Sequence, residues 1–324
     1  MILKIFIFFF ILLSLPSKFC YVQNKDSSFT EFHENEEDSS DESFFREEST
    51  ISENNNEKNI NLYSIWTINI FIVLFTIITG FISKYKNLIK YRPIFLGISI
   101  IYLGFIVGGC PCMISSFQNL ILYIVRGDNL IFSYIFWFII LLPLTYIMGK
   151  SWCGWVCHLG ALQEFLYNKK YGKLFISSSS QIILRYIRII FTLLLVFQLI
   201  IYPMNIWCQI CPFKSIFNLN LSQTYYTINV ALLITLIVLS IYSYRPFCRS
   251  LCPVGLILSL VSILPYALKI KSKECKVCYT CIKECKLGAI KTKNNKLFIN
   301  NLDCIFCSEC IESCSKNEIN YTRK

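Results

Sequence analysis

The cysteines near the C-terminus constrain this chain more than any other feature. Residues 275–285 hold four cysteines spaced C-x2-C-x2-C-x3-C, and residues 304–314 repeat the same spacing. A [4Fe–4S] cubane needs four thiolates; a tight loop with x2 spacing supplies three of them, and a more distant cysteine supplies the fourth. The duplicated pattern therefore predicts two [4Fe–4S] clusters in residues 269–324.

The fourth cysteine of each motif is expected to ligate the other cluster, as in two-cluster ferredoxins. The predicted ligand sets are Cys275, Cys278, Cys281 and Cys314 for one cluster, and Cys304, Cys307, Cys310 and Cys285 for the other. The alternative is zinc, but zinc sites normally show paired C-x2-C groups separated by a longer spacer. The proline that usually follows the fourth cysteine is replaced by Lys286 and Ser315. Since proline is not a ligand, the predicted binding is unaffected.

The rest of the chain is too apolar for an ordinary soluble domain. Of its 324 residues 55% are hydrophobic, and the mean hydropathy is +0.53. Five segments are long and apolar enough to span a bilayer. They are residues 62–83, 94–112, 130–148, 182–202 and 227–244. We therefore expect a mainly α-helical fold: a transmembrane bundle of about five spans in residues 61–268, followed by a small α+β ferredoxin domain in residues 269–324.

The charges between these segments predict their orientation. Lysine and arginine cluster after the first and third segments, whereas the connections after the second and fourth carry only Arg126 and Lys214 respectively. The positive-inside rule then places the first and third connections, and the ferredoxin domain, in the cytoplasm of a bacterial cell, below the inner membrane. This orientation explains the net charge of +11, and no nucleic-acid motif accompanies it.

Two segments precede the first predicted span. Residues 1–20 contain Lys4, an apolar run and Pro16, which predicts a signal peptide, with an uncleaved N-terminal anchor as the alternative. Residues 21–60 hold 12 acidic and three basic residues without apolar periodicity. That composition predicts a disordered segment, and the topology places it outside the cytoplasm.

Four further cysteine pairs lie in the membrane part, each between a predicted span and a short amphipathic stretch. By the topology above, two pairs lie at the inner face and two at the outer face. The inner pairs are Cys153 with Cys157 and Cys248 with Cys252, and the outer pairs are Cys110 with Cys112 and Cys208 with Cys211. The repeated unit is a span, a cysteine pair and an interfacial helix.

This order of motifs resembles the polyferredoxin-like membrane proteins that include NapH, the C-terminal half of NosR and the CcoG group. The resemblance covers about residues 95–324 and rests on W-C-G-W-V-C at 152–157, on C-R-S-L-C-P-V-G at 248–255, and on the two cluster motifs behind them. His158 stands where the family has a proline. The resemblance implies an electron-transfer protein in the lipid bilayer, working between quinol or a cytoplasmic donor and a redox partner protein.

The roles of the membrane cysteines stay open at the level of sequence. The inner four could hold a further iron–sulfur or other metal centre, or act as a reactive dithiol near a quinol site; alternatively they are buried thiols packed against Trp152 and Trp155. The outer four could bind a cluster, but an oxidising periplasm favours disulfides. His158 is a candidate proton-transfer group or ligand, and a local cap or hydrogen-bonding residue otherwise.

Other functions receive little support from the sequence. The chain has only two histidines, His33 and His158, so a bis-histidine haem b within the bundle is not expected. No nucleotide-binding fingerprint or hydrolase triad occurs. Two alternatives to an electron-transfer subunit remain. One is an assembly or metal-homeostasis factor that reduces copper or a partner's cofactor, and the other is a cluster-bearing scaffold without turnover.

Overall fold

A computed structural model describes residues 69–107, 112–126, 132–170, 177–203, 207, 210–217, 226–272, 278–293, 296–316 and 318–323. The predictions for residues 1–68, including the signal peptide, the acidic segment and His33, lie outside the described residues, as do Cys110, Cys208 and Cys275. The membrane part is helical. Its helices are α1 (Asn69–Ile82), α2 (Lys86–Ile106), α3 (Met113–Arg126), α4 (Phe132–Met148), α5 (His158–Leu166), α6 (Ser178–Ile201), α7 (Pro212–Phe217), α8 (Tyr226–Tyr242), α9 (Pro246–Ser250) and α10 (Pro253–Val261).

All five segments predicted to span are helical where they are described, as α1, α2, α4, α6 and α8. Within the described ranges, two helices are long and apolar enough to cross a membrane by themselves, Lys86–Ile106 and Ser179–Ile201. The other three have no more than 17 residues in the structure, so the five-span bundle stays a prediction. Helix α2 begins eight residues before the expected start at 94, because residues 86–91 form a 3-10 turn that continues into it.

Of the predicted unit of span, cysteine pair and interfacial helix, the structure shows the helix that follows each cysteine pair. Helices α3, α5, α7 and α10 each begin directly after the second cysteine of a pair. Two of them occupy the centre of the bundle: α10 packs against α3, α4 and α6, and α5 packs against α2 and α8. The repeat therefore places a cysteine at the amino end of four helices, where unpaired backbone amides favour a thiolate.

The C-terminal part is a small α+β unit, as the sequence predicts. Its elements are β1 (Lys269–Ser272), α11 (Thr280–Glu284), β2 (Ile290–Lys293), β3 (Lys296–Ile299), α12 (Glu309–Glu312) and β4 (Ile319–Thr322). Strands β1 and β4 pair antiparallel with Ile270 opposite Tyr321, and β2 pairs antiparallel with β3. Pairing of the first strand with the last closes the unit and brings α11 and α12 into contact.

The two cysteine motifs have the same local backbone. Tyr279 and Ser308, which each follow the second cysteine of a motif, both adopt the left-handed region, with φ of 62° and 68°. A one-turn helix with the third cysteine follows in both cases. The sequence repeat is thus also a structural repeat, because the two cysteine loops share the same backbone conformation.

The C-terminal unit is docked closely on the membrane part through residues 305–306. Phe306 is fully buried and packs on Gly149, while Trp155 donates its indole N–H to the Phe306 carbonyl at 3.1 Å. A Cβ atom on Gly154 would stand 2.5 Å from the Ile305 carbonyl oxygen. Glycine at 154 is therefore what allows the cysteine loop of the tail to lie directly on the W-C-G-W-V-C turn.

Candidate iron–sulfur sites

Four tail thiols meet between the two motifs. Cys304 and Cys310 are buried, whereas Cys285 and Cys307 are half-buried. Burial raises the pKa of Cys304 to about 11 and that of Cys307 to about 12. The pKa of Cys310 is also raised, first by burial and then by the charges of Cys307, Cys304 and Cys285. These four residues are the ligand set predicted for the second cluster.

The other predicted set is described in part. Cys281 and Cys314 are buried and Cys278 is exposed, and Cys275 lies outside the described residues. The charge of Cys281 acts on Cys310, so the two sets are neighbours. Exposure of Cys278 places this set nearer to solvent than the set around Cys304.

The donor atoms around these thiols fit an iron–sulfur cluster. The Cys304 sulfur accepts the N–H of Phe306 at 3.5 Å, and backbone amides from Leu287 to Ile290 donate to Cys285. Such N–H donors stabilise thiolates and set the potential of a bound cluster. Among the described residues, no three Cys, His, Asp or Glu side chains stand close enough to hold one metal ion.

The four inner membrane cysteines line a single cavity. Cys153 and Cys157 reach it from the turn before α5, and Cys248 and Cys252 reach it from α9 and the turn that follows α9. The cavity measures about 70 Å³, whereas one water needs about 10–15 Å³ on the same measure. Two pairs separated by more than ninety residues in sequence therefore converge on one enclosed space.

Electrostatics confirm that these four thiols are close to one another. Burial, with a smaller contribution from Cys157, raises the pKa of Cys153 to about 11. Burial likewise raises the pKa of Cys248 to about 12, with contributions from Cys157 and Cys153. The sulfur atoms also accept hydrogen bonds: Cys248 from the Gln163 amide at 3.5 Å, and Cys252 from the backbone of Gly255 at 3.3 Å.

Two of the four predicted outer cysteines, Cys112 and Cys211, lie near the inner pair that includes Cys157. Cys112 and Cys211 are half-buried and pack against the apolar cluster around Leu159 and Phe217, which Cys157 also contacts. Residues 113–114, directly after Cys112, line the same cavity as the inner four. Cys112 therefore lies near an inner thiol at the start of α3, and the membrane face of residues 110–112 stays a prediction.

His158 has no hydrogen-bonding role within the described residues. Its side chain is 1% exposed, neither ring nitrogen has a partner, and the ring packs edge-on against Phe217 at 5.4 Å. Burial lowers the pKa of His158 to about 4, so the ring is neutral near pH 7. The described residues thus give no hydrogen bond in support of a local cap, and the role of His158 stays a prediction.

A buried ionic cluster that the sequence reasoning missed joins the two parts of the chain. Arg92 donates to both carboxylate oxygens of Glu164 at 2.7 Å and to Glu309 of α12 at 2.8 Å. Arg245 donates to Glu164 at 2.6 Å and also to the Cys153 carbonyl. Burial alone would raise the pKa of Glu164, but Arg245 and Arg92 hold it well below its usual range.

Comparison with known sequences bears on these same residues. A family profile described as a 4Fe-4S binding domain matches residues 130–174, 184–219 and 227–271, which include both inner cysteine pairs. The uncharacterized protein MJ0750 of Methanocaldococcus jannaschii is 30% identical over 234 residues, which are 68% of this chain and 90% of that protein. The regulatory protein NosR of Pseudomonas aeruginosa is 26% identical over 221 residues, 62% of this chain and 30% of NosR. The chain belongs to the NapH/NosR-like polyferredoxin membrane proteins.

Other members of this family extend the comparison. YccM of Escherichia coli, provisionally named an electron transport protein, is 24% identical over 182 residues, which are 53% of this chain and 50% of YccM. The chain thus spans most of MJ0750 but only half of YccM and less than a third of NosR. No solved structure matches it. The family and its profile show that this chain is an iron–sulfur protein, and the name of YccM supports a role in electron transfer.

Proposed function

We propose that this chain is a multi-pass membrane protein that passes single electrons between a quinol or cytoplasmic donor and a redox partner protein. Two [4Fe–4S] clusters in the tail would be its carriers, held by the two sets of four cysteines predicted above. A [4Fe–4S] cluster supplies reversible one-electron transfer, with a potential set by its surroundings. The observation that carries the proposal is the meeting of Cys285, Cys304, Cys307 and Cys310 on a loop docked against the membrane part.

The protein's own residues supply the environment that such carriers need. Cys304 and Cys310 are buried beneath Phe306 and Ile311, which excludes water from that set of thiols. Amide donors to sulfur hold the thiolates in place and offset their charge. Exposed Cys278 would leave the other cluster near the surface, where a partner protein can approach.

The side of the membrane follows from the same contacts. Lys86 donates to the Cys314 carbonyl at 2.8 Å, and Lys150 donates to the Leu302 carbonyl at 2.9 Å. Both lysines belong to the basic connections that the positive-inside rule assigns to the cytoplasm. We therefore propose that the tail faces the cytoplasm and that the acidic segment of residues 21–60 lies on the opposite side.

Anaerobic purification of the full chain in detergent tests this function. The clusters should be reduced by a quinol or by a low-potential ferredoxin-type donor and reoxidised by an acceptor, as followed by EPR and visible absorbance. A Cys304→Ser/Cys310→Ser variant should lose about four iron atoms per chain, the content of one cubane. The matched control is Ser315→Ala, an exposed change beside Cys314 that leaves every thiol in place.

Two results would contradict the proposal. Tail variants with unchanged iron content would show that these thiols are not ligands. Clusters that neither quinol nor a ferredoxin-type donor reduces would point to a scaffold without turnover.

A further inference from the structure

The cavity between the inner cysteine pairs carries a large excess of positive charge. Besides the four thiols, its lining includes five cationic side chains and one acidic side chain. They are Lys150, Arg185, Arg188, Arg245 and Arg249, against Asp303. Two of the cations are neutralised locally, since Arg185 pairs with Asp303 at 2.6 Å and Arg245 pairs with Glu164 at 2.6 Å.

Two of the remaining cations, Lys150 and Arg188, are buried and share one nearby carboxylate, that of Asp303, whose salt bridge is made with Arg185. Lys150 is 3% exposed, and its ammonium donates only to the Asn301 and Leu302 carbonyls and to the Ser259 hydroxyl. Arg188 is 7% exposed, and its Nε has no hydrogen-bond partner. Buried cations in excess of their counter-charges are costly, so this excess favours an anionic occupant of the cavity.

We propose that Cys153, Cys157, Cys248 and Cys252 hold a third [4Fe–4S] cluster in this cavity, with Lys150 and Arg188 as its counter-charges. Four thiolates around an oxidised cubane carry a net charge of about −2, which two buried cations balance. Neutral thiols would leave Asp303 as the one carboxylate in the cavity lining to balance these cations. As an electron carrier this centre rests on the proposed function, but as a metal site it is tested independently.

The geometry favours a cluster over the other occupants that four thiols could take. A single zinc ion draws its four ligands to one point, whereas these four thiols line a cavity of about 70 Å³. Disulfides would need direct sulfur contact, and these four cysteines are free thiols that surround an open space. Helices α5 and α10, nine residues each, have Cys157 and Cys252 as their N-cap residues and present backbone amides to the two sulfurs.

The position of the cavity gives this centre a neighbour in the tail. Leu302, Asp303 and Ile305 line the cavity, and they flank Cys304 of the tail set. Lys150 interacts electrostatically with both Cys304 and Cys153. The same cation therefore lies between the proposed third cluster and the tail cluster. A cluster in the cavity would be the next electron carrier after the tail cluster, on the side of the membrane part.

Iron and acid-labile sulfide per chain, measured on the intact protein, give the first test. Three cubanes require about 12 iron and about 12 sulfide per chain, and two require about eight of each. Reduced protein should show three interacting EPR centres. A count of about eight in fully loaded protein would overturn the proposal and leave the two tail clusters, and hence the proposed function, intact.

Variants then assign the site. Cys153→Ser/Cys248→Ser, one cysteine from each pair, should lose about four iron atoms while the tail signals persist, which also shows that the variant is folded. The matched control Cys112→Ser/Cys211→Ser should keep all the iron. Loss of iron from the control but not from the inner variant would overturn the assignment. Loss confined to Cys304→Ser/Cys310→Ser would instead support the tail cluster alone.

The counter-charges provide a readout that does not depend on cysteine replacement. Reduction adds negative charge to a cluster, so removing a nearby cation disfavours the reduced form. Arg188→Met should therefore lower the midpoint potential of one centre and leave the other two unchanged in an EPR-monitored titration. Unchanged potentials for every centre would show that no cluster occupies the cavity.

Discussion

Replacing Glu164 by Gln should destabilise the protein strongly, because one carboxylate balances two buried guanidinium groups. Arg92 and Arg245 are 2% and 1% exposed and both donate to Glu164, whose own side chain is 12% exposed. The amide has nearly the same shape as the carboxylate, so packing is preserved and the charge alone is removed. Arg92 keeps Glu309 at 2.8 Å, but Arg245 loses its ion-pair partner.

The expected magnitude follows from that burial. Breaking a buried ion pair from one side costs about 3–5 kcal/mol, because the remaining charge is left desolvated. Since Gln still offers one oxygen acceptor, about 3 kcal/mol is the expected loss. At about 2–4 °C per kcal/mol for a chain of moderate size, the apparent Tm should fall by roughly 6–12 °C.

Thermal unfolding of the full protein in detergent, followed by tryptophan fluorescence, measures this shift. The matched control is Glu284→Gln, which makes the same chemical change in the exposed pair with Lys169, where the side chains are 39% and 63% exposed. An exposed pair contributes about 0–1 kcal/mol, so its Tm should barely move. Equal shifts for the two variants would refute the argument that burial makes Glu164 important.

Three further predictions concern the same contacts. The difference in unfolding free energy between wild type and Glu164→Gln should stay constant across neutral pH and shrink as the pH falls below the unfolded-state pKa of about 4.3. The reason is that the pKa of Glu164 is lower in the folded protein, so that the ion pair is lost when the carboxylate is protonated. A difference that changes near pH 7 would contradict this. Gly154→Ala should loosen the docked tail, since the added Cβ meets the Ile305 carbonyl, and limited proteolysis should release the tail faster than in Gly97→Ala, where the added atom meets open space. A chelator should remove iron in two phases, first from the cluster that includes exposed Cys278, and single-phase loss would show that both clusters are equally protected.

The chemistry and the helices of this protein were accessible from sequence because they are local patterns. Identical cysteine spacing predicted two equivalent loops, and the structure gives both the same backbone at Tyr279 and Ser308. Runs of apolar residues located α1, α2, α4, α6 and α8. Each cysteine pair also predicted the helix that follows it, because a helix boundary is marked by residues close to it in the sequence.

The cavity and the ionic cluster could not be predicted from local sequence patterns, because they depend on contacts between residues that are far apart in the sequence. Arg92 and Glu309 are 217 positions apart, and nothing near either residue indicates its partner. Periodicity also could not show that α3 starts near an inner thiol, since a helix that enters the protein and one that lies at its surface have similar patterns. The sequence did hold a weak signal, because Arg245 is a charged residue at the end of an apolar segment, directly before Pro246 and three positions before Cys248.

The cations on the predicted cytoplasmic side have a second origin besides membrane orientation. Arg92, Lys150 and Arg188 were counted as loop charges, yet all three are buried, and each lies near cysteines of the inner or tail sets. Clusters ligated by thiolates are anionic, so a protein that stacks several of them against a membrane must bring compensating cations inside. The same three cations therefore contribute both to the positive-inside pattern and to the surroundings of the proposed clusters. Replacing them should change the redox potentials of the clusters more than the membrane topology of the protein.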